Sequence, residues 1–356
     1  MAQRVYNFSP GPAMMPQEVL EASARALVDF QGKGVGIAEV SHRGKEFDAV
    51  REEAERRCRT LFAIPDGYEV LFLQGGATQQ FDLIPMNFLQ GYAEYVDSGQ
   101  WAAKAASTAK AYGDARVIAT SKADNYSHLP NGWTATAGAD YLHICTNNTI
   151  FGTRYPTFPE HHTLIADMSS EIASRPIPVG RFGLIYAGAQ KNLGPSGVVL
   201  VIVRKDLLAK ARKVSPIFSY AEHAAAQSCL NTPPTFGIYV LLETFRWLEK
   251  QGGLNGMEQL NTAKAELLYG AIDGSGGFYK GTVTAKTERS HMNVTYVLPS
   301  EDLTTAFLKE ADAAGLVALK GYRSVGGIRA SIYNAMPLAG VQKLVALMQD
   351  FARRKG

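Results

Sequence analysis

Two short runs, residues 184–187 and 198–203, are made of hydrophobic side chains and nothing else. A strand with no polar face must be covered on both sides, as in the middle of an α/β sheet. Similar segments recur at 68–73, 92–96, 115–119, 141–145 and 163–166, with helices or loops between most of them. That alternation predicts an α/β fold with a mainly parallel sheet, covered by helices on both faces. Ligands of such sheets bind beyond the carboxyl ends of the strands.

Residues 6–15, with Pro10, Gly11 and Pro12, read as an extended arm with turns. Pro16 suits the opening of a helix whose apolar positions include Val19, Leu20, Leu27 and Phe30. A charged helix is expected over 45–61, and others near 206–213 and over 237–251. Gly252-Gly253 ends the last of these and marks a candidate hinge. Beyond it come a helix at 259–272, a strand at 292–298, a helix at 302–314, a strand at 328–332 and a helix at 338–353. That pattern suits a smaller α/β domain, and 356 residues are enough for two.

A net charge of +3 with no basic block makes no case for a nucleic-acid partner. No run reaches the ~20 apolar residues of a membrane helix. The N-terminus has no apolar signal core. Cys58, Cys145 and Cys229 lie far apart and form neither a CxxC pair nor a disulfide framework, which suits a reducing cytosol. The histidines include the pair His161-His162 but show no metal-ligand spacing, so no metal is expected.

Lys191 heads the turn of small residues between the two apolar runs. Burial there lowers a lysine's pKa toward the neutral amine, which can form a Schiff base with an aldehyde. Taken alone, a turn lysine pointing to water is the commoner case. Asp167, at the end of another short apolar run, changes the odds. An acid on one strand end and a lysine near another suit pyridoxal 5'-phosphate (PLP): the acid holds the pyridine nitrogen and the lysine the aldehyde. Thr149 also follows a strand. Gly75-Gly76, between a strand and a helix, lets backbone N–H groups approach a phosphate, though a glycine pair is a weak signal. Trp101 reads as a stacking residue or as core. His42 and Arg43, before the charged helix, read as an anion site or as a solvated cluster. Arg329, inside a strand, reads as a carboxylate clamp or as a solvent-facing arginine.

Assembled, these residues resemble the phosphoserine aminotransferase family, class V members of the fold-type I PLP enzymes. The resemblance covers essentially the whole chain. It is strongest at Asn7-Phe-Ser-Pro-Gly-Pro-Ala, Glu39-Val-Ser-His-Arg-Gly-Lys-Glu-Phe, Tyr186-Ala-Gly-Ala-Gln-Lys-Asn, Asn231-Thr-Pro-Pro-Thr-Phe and Arg329-Ala-Ser-Ile-Tyr-Asn-Ala. It implies a large domain, 16–253, with a seven-stranded sheet, and a small domain formed by 1–15 and 254–356. It implies that Lys191 carries the Schiff base and moves the substrate proton, that Asp167 partners the pyridine nitrogen, and that Trp101 stacks on the ring. Thr149 is similar to the threonine near the cofactor's 3-oxygen, and Ala77, Thr78 and Gln190 to positions around its phosphate. Asn231 and Thr232 resemble a pair that reaches the phosphate of the neighbouring subunit's cofactor, which implies a homodimer. Arg329 resembles the α-carboxylate clamp, and His42, Arg43 and Arg323 resemble groups that bind the distal anion. Two positions depart from the pattern: many relatives carry arginine where Thr78 stands and histidine where Tyr322 stands.

The implied reaction exchanges an amino group between O-phospho-L-serine and 2-oxoglutarate, giving 3-phosphooxypyruvate and L-glutamate, in a cytoplasmic enzyme of serine biosynthesis. Whether 4-phosphohydroxy-L-threonine, used by some relatives in vitamin B6 synthesis, is also a donor stays open. Alternatives are a class V aminotransferase for another small amino acid, a cysteine desulfurase using Cys229, and a non-catalytic PLP-fold binding protein. Loss of Lys191 or Asp167 would have marked the last, and both are present.

Overall fold

The computed structural model describes residues 4–323 and 325–356. The arm opens with β1 (Tyr6–Asn7) and leads into α1 (Gln17–Val28), then α2 (Lys45–Leu61). The sheet elements follow as β2 (Tyr68–Gly75), α3 (Ala77–Phe88), β3 (Tyr92–Asp97), α4 (Gln100–Ala109) and β4 (Asp114–Thr120). After them come β5 (Leu142–Cys145), β6 (Leu164–Asp167), β7 (Phe182–Gly188) and β8 (Gly197–Arg204). These seven strands form one sheet in the order β2-β8-β7-β6-β5-β3-β4. Only β8 runs against its neighbours, pairing antiparallel with both β2 and β7. The period of two along β8 serves two cores. Val198, Leu200 and Ile202 face a cluster that holds Phe47, Phe62 and Phe245, while Val199, Val201 and Val203 face one that holds Phe81, Phe88 and Tyr95.

Past the sheet lie α5 (Lys205–Leu208), α6 (Tyr220–Ala225), α7 (Thr235–Lys250) and α8 (Gly253–Asp273). The chain closes with β9 (Lys280–Gly281), β10 (Asn293–Val297), α9 (Glu301–Ala313), β11 (Leu316–Val317), β12 (Ile328–Ser331) and α10 (Leu338–Lys355). A second sheet has the order β12-β10-β9, and β1 pairs parallel with β11. A third core gathers here around Tyr296, Phe307, Leu344 and Phe351, and Phe8 from the arm joins it.

Three local expectations are corrected. The helix expected near 206–213 stops at Leu208. The chain is drawn onto the end of α3, where Arg212 donates its backbone N–H to Asn87 O at 2.8 Å, and Pro216 disfavours helix just before it. In α1 the buried stripe is Val19, Ser23 and Ala26, and Leu20 and Leu27 are exposed one position round the helix. The helix expected at 259–272 begins at Gly253, directly after the αL turn at Gly252.

Candidate active site

The parallel strands β5 and β6 end side by side, with Cys145 registered against Asp167. Their carboxyl ends, the turn after β7 and the opening of α3 enclose a cavity of about 360 Å³. Ala77, Thr78, Trp101, Thr149, Asp167, Gln190, Lys191 and Arg329 all line it. These side chains come from both parts of the chain: Arg329 lies on β12, the others on or beside the large sheet.

Asp167 is 6% exposed, and its Oδ1 accepts the N–H of Ser169 at 2.9 Å, which fixes the carboxylate. Lys191 donates from Nζ to Thr149 Oγ1 at 2.8 Å. Burial pulls the Lys191 pKa down, Asp167 and Cys145 pull it back up, and Arg329 pushes it down again. Thr149 also accepts a weak bond from Arg329 Nη1 to its backbone oxygen, at 3.4 Å. The prospective base and the prospective clamp therefore meet on one residue.

Arg329 is 7% exposed, and its Nε has no partner among the described residues. Burial lowers its pKa, yet a guanidinium keeps its charge in proteins. An unpaired buried charge is costly, and a carboxylate in the cavity would answer it. The ring of Tyr322 lies 5.9 Å from the guanidinium carbon, and Gln100 Nε2 reaches the Tyr322 hydroxyl at 3.3 Å.

The opening of α3 is shaped for close approach. Gly75 sits at φ +114, and a Cβ there would lie 2.0 Å from Gln79 Oε1. Gly76 caps the helix without a side-chain bond to the first turn, whose Ala77 and Thr78 line the cavity. Trp101 occupies the first turn of α4, half-buried. A flat indole, a fixed carboxylate, a primary amine and free helix N–H groups are what a pyridine ring bearing an aldehyde and a phosphate requires, so the residues fit PLP.

Five expected residues lie elsewhere. His42 and Arg43 stand on the turn before α2, outside the cavity. Asn231 and Thr232 are exposed, with Asn231 Nδ2 donating to Gln74 Oε1 at 3.1 Å. Arg323 is exposed, although Tyr322 before it lines the cavity. Within a single chain these residues do not converge on Lys191.

Other lining residues escaped the sequence reading. Ser169 holds Asp167, as above, and its Oγ accepts the N–H of Gly188 at 3.1 Å. Gly11 closes the cavity from the arm: at φ +138, a Cβ added there would lie 3.3 Å from Lys191 Cγ. The Pro-Gly-Pro turn was visible in sequence, but its contact lies 180 residues further along.

The family model for class-V aminotransferases matches residues 5–344. The phosphoserine aminotransferase of Laribacter hongkongensis is 50% identical over 358 residues, covering 99% of both chains. That of Niallia circulans is 50% identical over 363 residues and covers both chains fully. Among solved structures, the phosphoserine aminotransferase of Bacillus circulans subsp. alkalophilus superposes with a TM-score of 0.97 at 49% identity, over 99% of each chain. A PLP-bound phosphoserine aminotransferase from Trichomonas vaginalis gives 0.93 at 37% identity, over 97% of this chain and 100% of that one. This chain therefore belongs to the class-V aminotransferase family, PLP-dependent enzymes, on the branch that holds the phosphoserine aminotransferases.

Proposed function

We propose that the chain transfers the amino group of O-phospho-L-serine to 2-oxoglutarate, giving 3-phosphooxypyruvate and L-glutamate, as a step of serine biosynthesis. The observation that carries the reading is the meeting of Lys191 and Arg329 on Thr149, in one cavity floored by Asp167. Full-length relatives at about half identity bear the name of that activity.

When bound, PLP supplies an electron-withdrawing ring that accepts the electron pair left on the substrate's α-carbon. Arg329 grips the α-carboxylate through two parallel N–H···O bonds, filling its vacant Nε. That grip presents the α-carbon toward Lys191. With its pKa lowered by burial, Nζ is neutral more often than a surface lysine and can take the α-proton and return it. Asp167 would hold the ring nitrogen, and Trp101 would cover the ring face. Ala77, Thr78 and Gln190 surround the phosphate. Both amino donors carry an α-carboxylate and a second anion, so one clamp serves both in turn.

Asn231 and Thr232 are offered on the surface beside Gln74, which precedes the glycine pair. We read them, with His42 and Arg43, as completing the cavity of a second copy in a homodimer, and Arg323 as joining them at the distal anion. We read 16–253 as the large domain and 1–15 with 254–356 as the small one, residues 1–3 lying outside the described part of the chain. No described helix is long and apolar enough to cross a membrane, and a cytoplasmic enzyme with no nucleic-acid partner is the reading we adopt.

A coupled assay with phosphoserine, serine, alanine and aspartate as donors decides the substrate. Phosphoserine should exceed the rest by about a hundredfold in kcat/KM, the scale of a phosphate held by charge-assisted bonds. Equal rates with serine would replace the reading with an aminotransferase for an unphosphorylated amino acid.

A further inference from the structure

Three walls of the cavity come from distant parts of the chain: the Pro10–Gly11 arm, the loop that follows β5, and β12. One side chain bonds toward all three. Asn293, at the start of β10, is fully buried. Its Oδ1 accepts from Asn147 Nδ2 at 2.8 Å, and Asn147 stands two residues before Thr149. Its Nδ2 donates to Ser331 Oγ at 3.0 Å, two residues along β12 from Arg329. The same nitrogen donates to the Tyr333 hydroxyl at 3.1 Å, and that hydroxyl donates onward to Pro10 O at 3.0 Å.

The direction of these bonds is forced. The Pro10 oxygen is a carbonyl and can only accept, so the Tyr333 hydrogen points to it. The Tyr333 oxygen must then accept, which turns the Asn293 amide nitrogen toward it. That leaves Oδ1 for Asn147, whose amide hydrogen it takes. Both amide hydrogens of Asn293 are used and its oxygen accepts one bond, in an arrangement neither aspartate nor leucine can reproduce.

We propose that Asn293, acting through Tyr333, is a positioning residue that sets the spacing between Arg329 and Lys191. Arg329 stands on β12 between Ile328 and Ala330 of the third core, Lys191 stands on the turn after β7 of the large sheet, and a Cβ on Gly11 of the arm would lie 3.3 Å from the Lys191 stem. A substrate held by Arg329 and worked on by Lys191 must span that gap. The inference rests on the proposed roles of those two residues.

Two variants test it in the PLP-loaded enzyme. Tyr333→Phe keeps the ring and deletes the link to the arm. Asn293→Asp keeps the volume but offers only acceptors while ionised, so Tyr333 must turn its hydrogen inward and drop Pro10. Both should release the arm in the same way. Hydrogen exchange at Ala13, whose N–H donates to Gln190 O at 2.9 Å, should speed up about tenfold, and KM for both substrates should rise together about tenfold with a smaller fall in kcat. Thermal stability should change far less in Tyr333→Phe than in Asn293→Asp, so agreement of the kinetic and exchange effects would not reflect general loosening. If Tyr333→Phe keeps wild-type exchange in the arm and wild-type KM values, the positioning role is wrong. Exchange requires no substrate, so it judges the arm link even if the phosphoserine reading fails in the donor assay.

Discussion

Along β7 and β8 the side chains from Leu184 to Ala187 and from Val198 to Val203 are at most 1% exposed and, apart from the Tyr186 hydroxyl 2.9 Å from His143 Nε2, packed in hydrocarbon. The layer where the large sheet meets α8, β10 and β12 is almost as dry, at 5% or less, yet it is built from Asn147, Asn192, Asn261, Lys264, Asn293 and Asn334. Asn261 donates to Ser174 O and Asn334 Oδ1, and Asn334 donates to Ala173 O at 2.8 Å. Lys264 donates to the carbonyls of Ile332 and Tyr333. Hydrophobic contact has no direction, so the sheet gains stability from any close packing. Hydrogen bonds have direction, so the polar layer holds one relative placement of the two parts and penalises others. The sheet makes the molecule stable; the polar layer ties β12, which carries Arg329, to the loop that carries Thr149.

The sharpest separation comes from the cavity itself. Lys191→Ala removes the amine and should lower turnover about 10⁴-fold or more, with the melting temperature held or raised because a buried polar group that is costly to desolvate is gone. Borohydride treatment of the wild type should fix the cofactor on Lys191, and peptide mass spectrometry reads the site; label on a different lysine would refute the assignment. The reverse case is Phe245→Ala on α7, a side chain fully buried against Phe62 with ring centroids 6.3 Å apart. It should cost about 3–5 kcal/mol of stability by urea unfolding, with KM unchanged at low temperature. A shifted KM would mean the sheet core also sets the site.

The contrast explains what was legible in the sequence. The runs 184–187 and 198–203 announce themselves because burial on both faces leaves a composition that nothing else produces. Lys191 and Asp167 were legible as residues at strand ends, and Arg329 as a charge between apolar neighbours. The polar layer was not legible. Asn147 and Asn293 are ordinary polar residues in sequence, and only the 146-residue closure between them makes a bond. The exposed leucines of α1 mark the other limit: helical spacing names a stripe, but Ser23 won the buried place that Leu20 and Leu27 were expected to share. Serine manages this by returning its hydroxyl to Val19 O at 2.6 Å.

Arg329 links the two regions, and its removal should give an intermediate effect. Arg329→Ala loses charge-assisted bonds worth about 2–3 kcal/mol, so KM for each substrate should rise roughly a hundredfold. Arg329→Lys should recover only part of this, because an ammonium lacks the planar fork. Steady-state kinetics on both half-reactions tests it. An effect on one substrate alone would show that Arg329 does not hold the carboxylate they share.

The smallest expected effect lies deepest in the polar layer. Lys264, on α8, is fully buried, and burial pushes its pKa down to about 7. An unfolded lysine titrates near ~10.4. Between those values the unfolded chain keeps the proton that the folded chain has released, so stability rises with pH across that window. Below about 7 both states are protonated and the cost of burying the ammonium is fully present. Full linkage over two pH units would give about 2.7 kcal/mol. The carbonyls of Ile332 and Tyr333, at 2.9 and 2.8 Å, favour the charged form and oppose the shift, so a gain of about 1–2 kcal/mol from pH 7 to pH 9 is expected. Urea midpoints at the two pH values measure it, with Lys264→Met as the reference that cannot titrate. The Met variant should lose this part of the slope, while Phe245→Ala should lower stability at both pH values and leave the slope intact. Parallel curves for wild type and Lys264→Met would show that the two carbonyls hold the ammonium charged throughout, and that this buried cation is a fixed strut between α8 and the segment after β12.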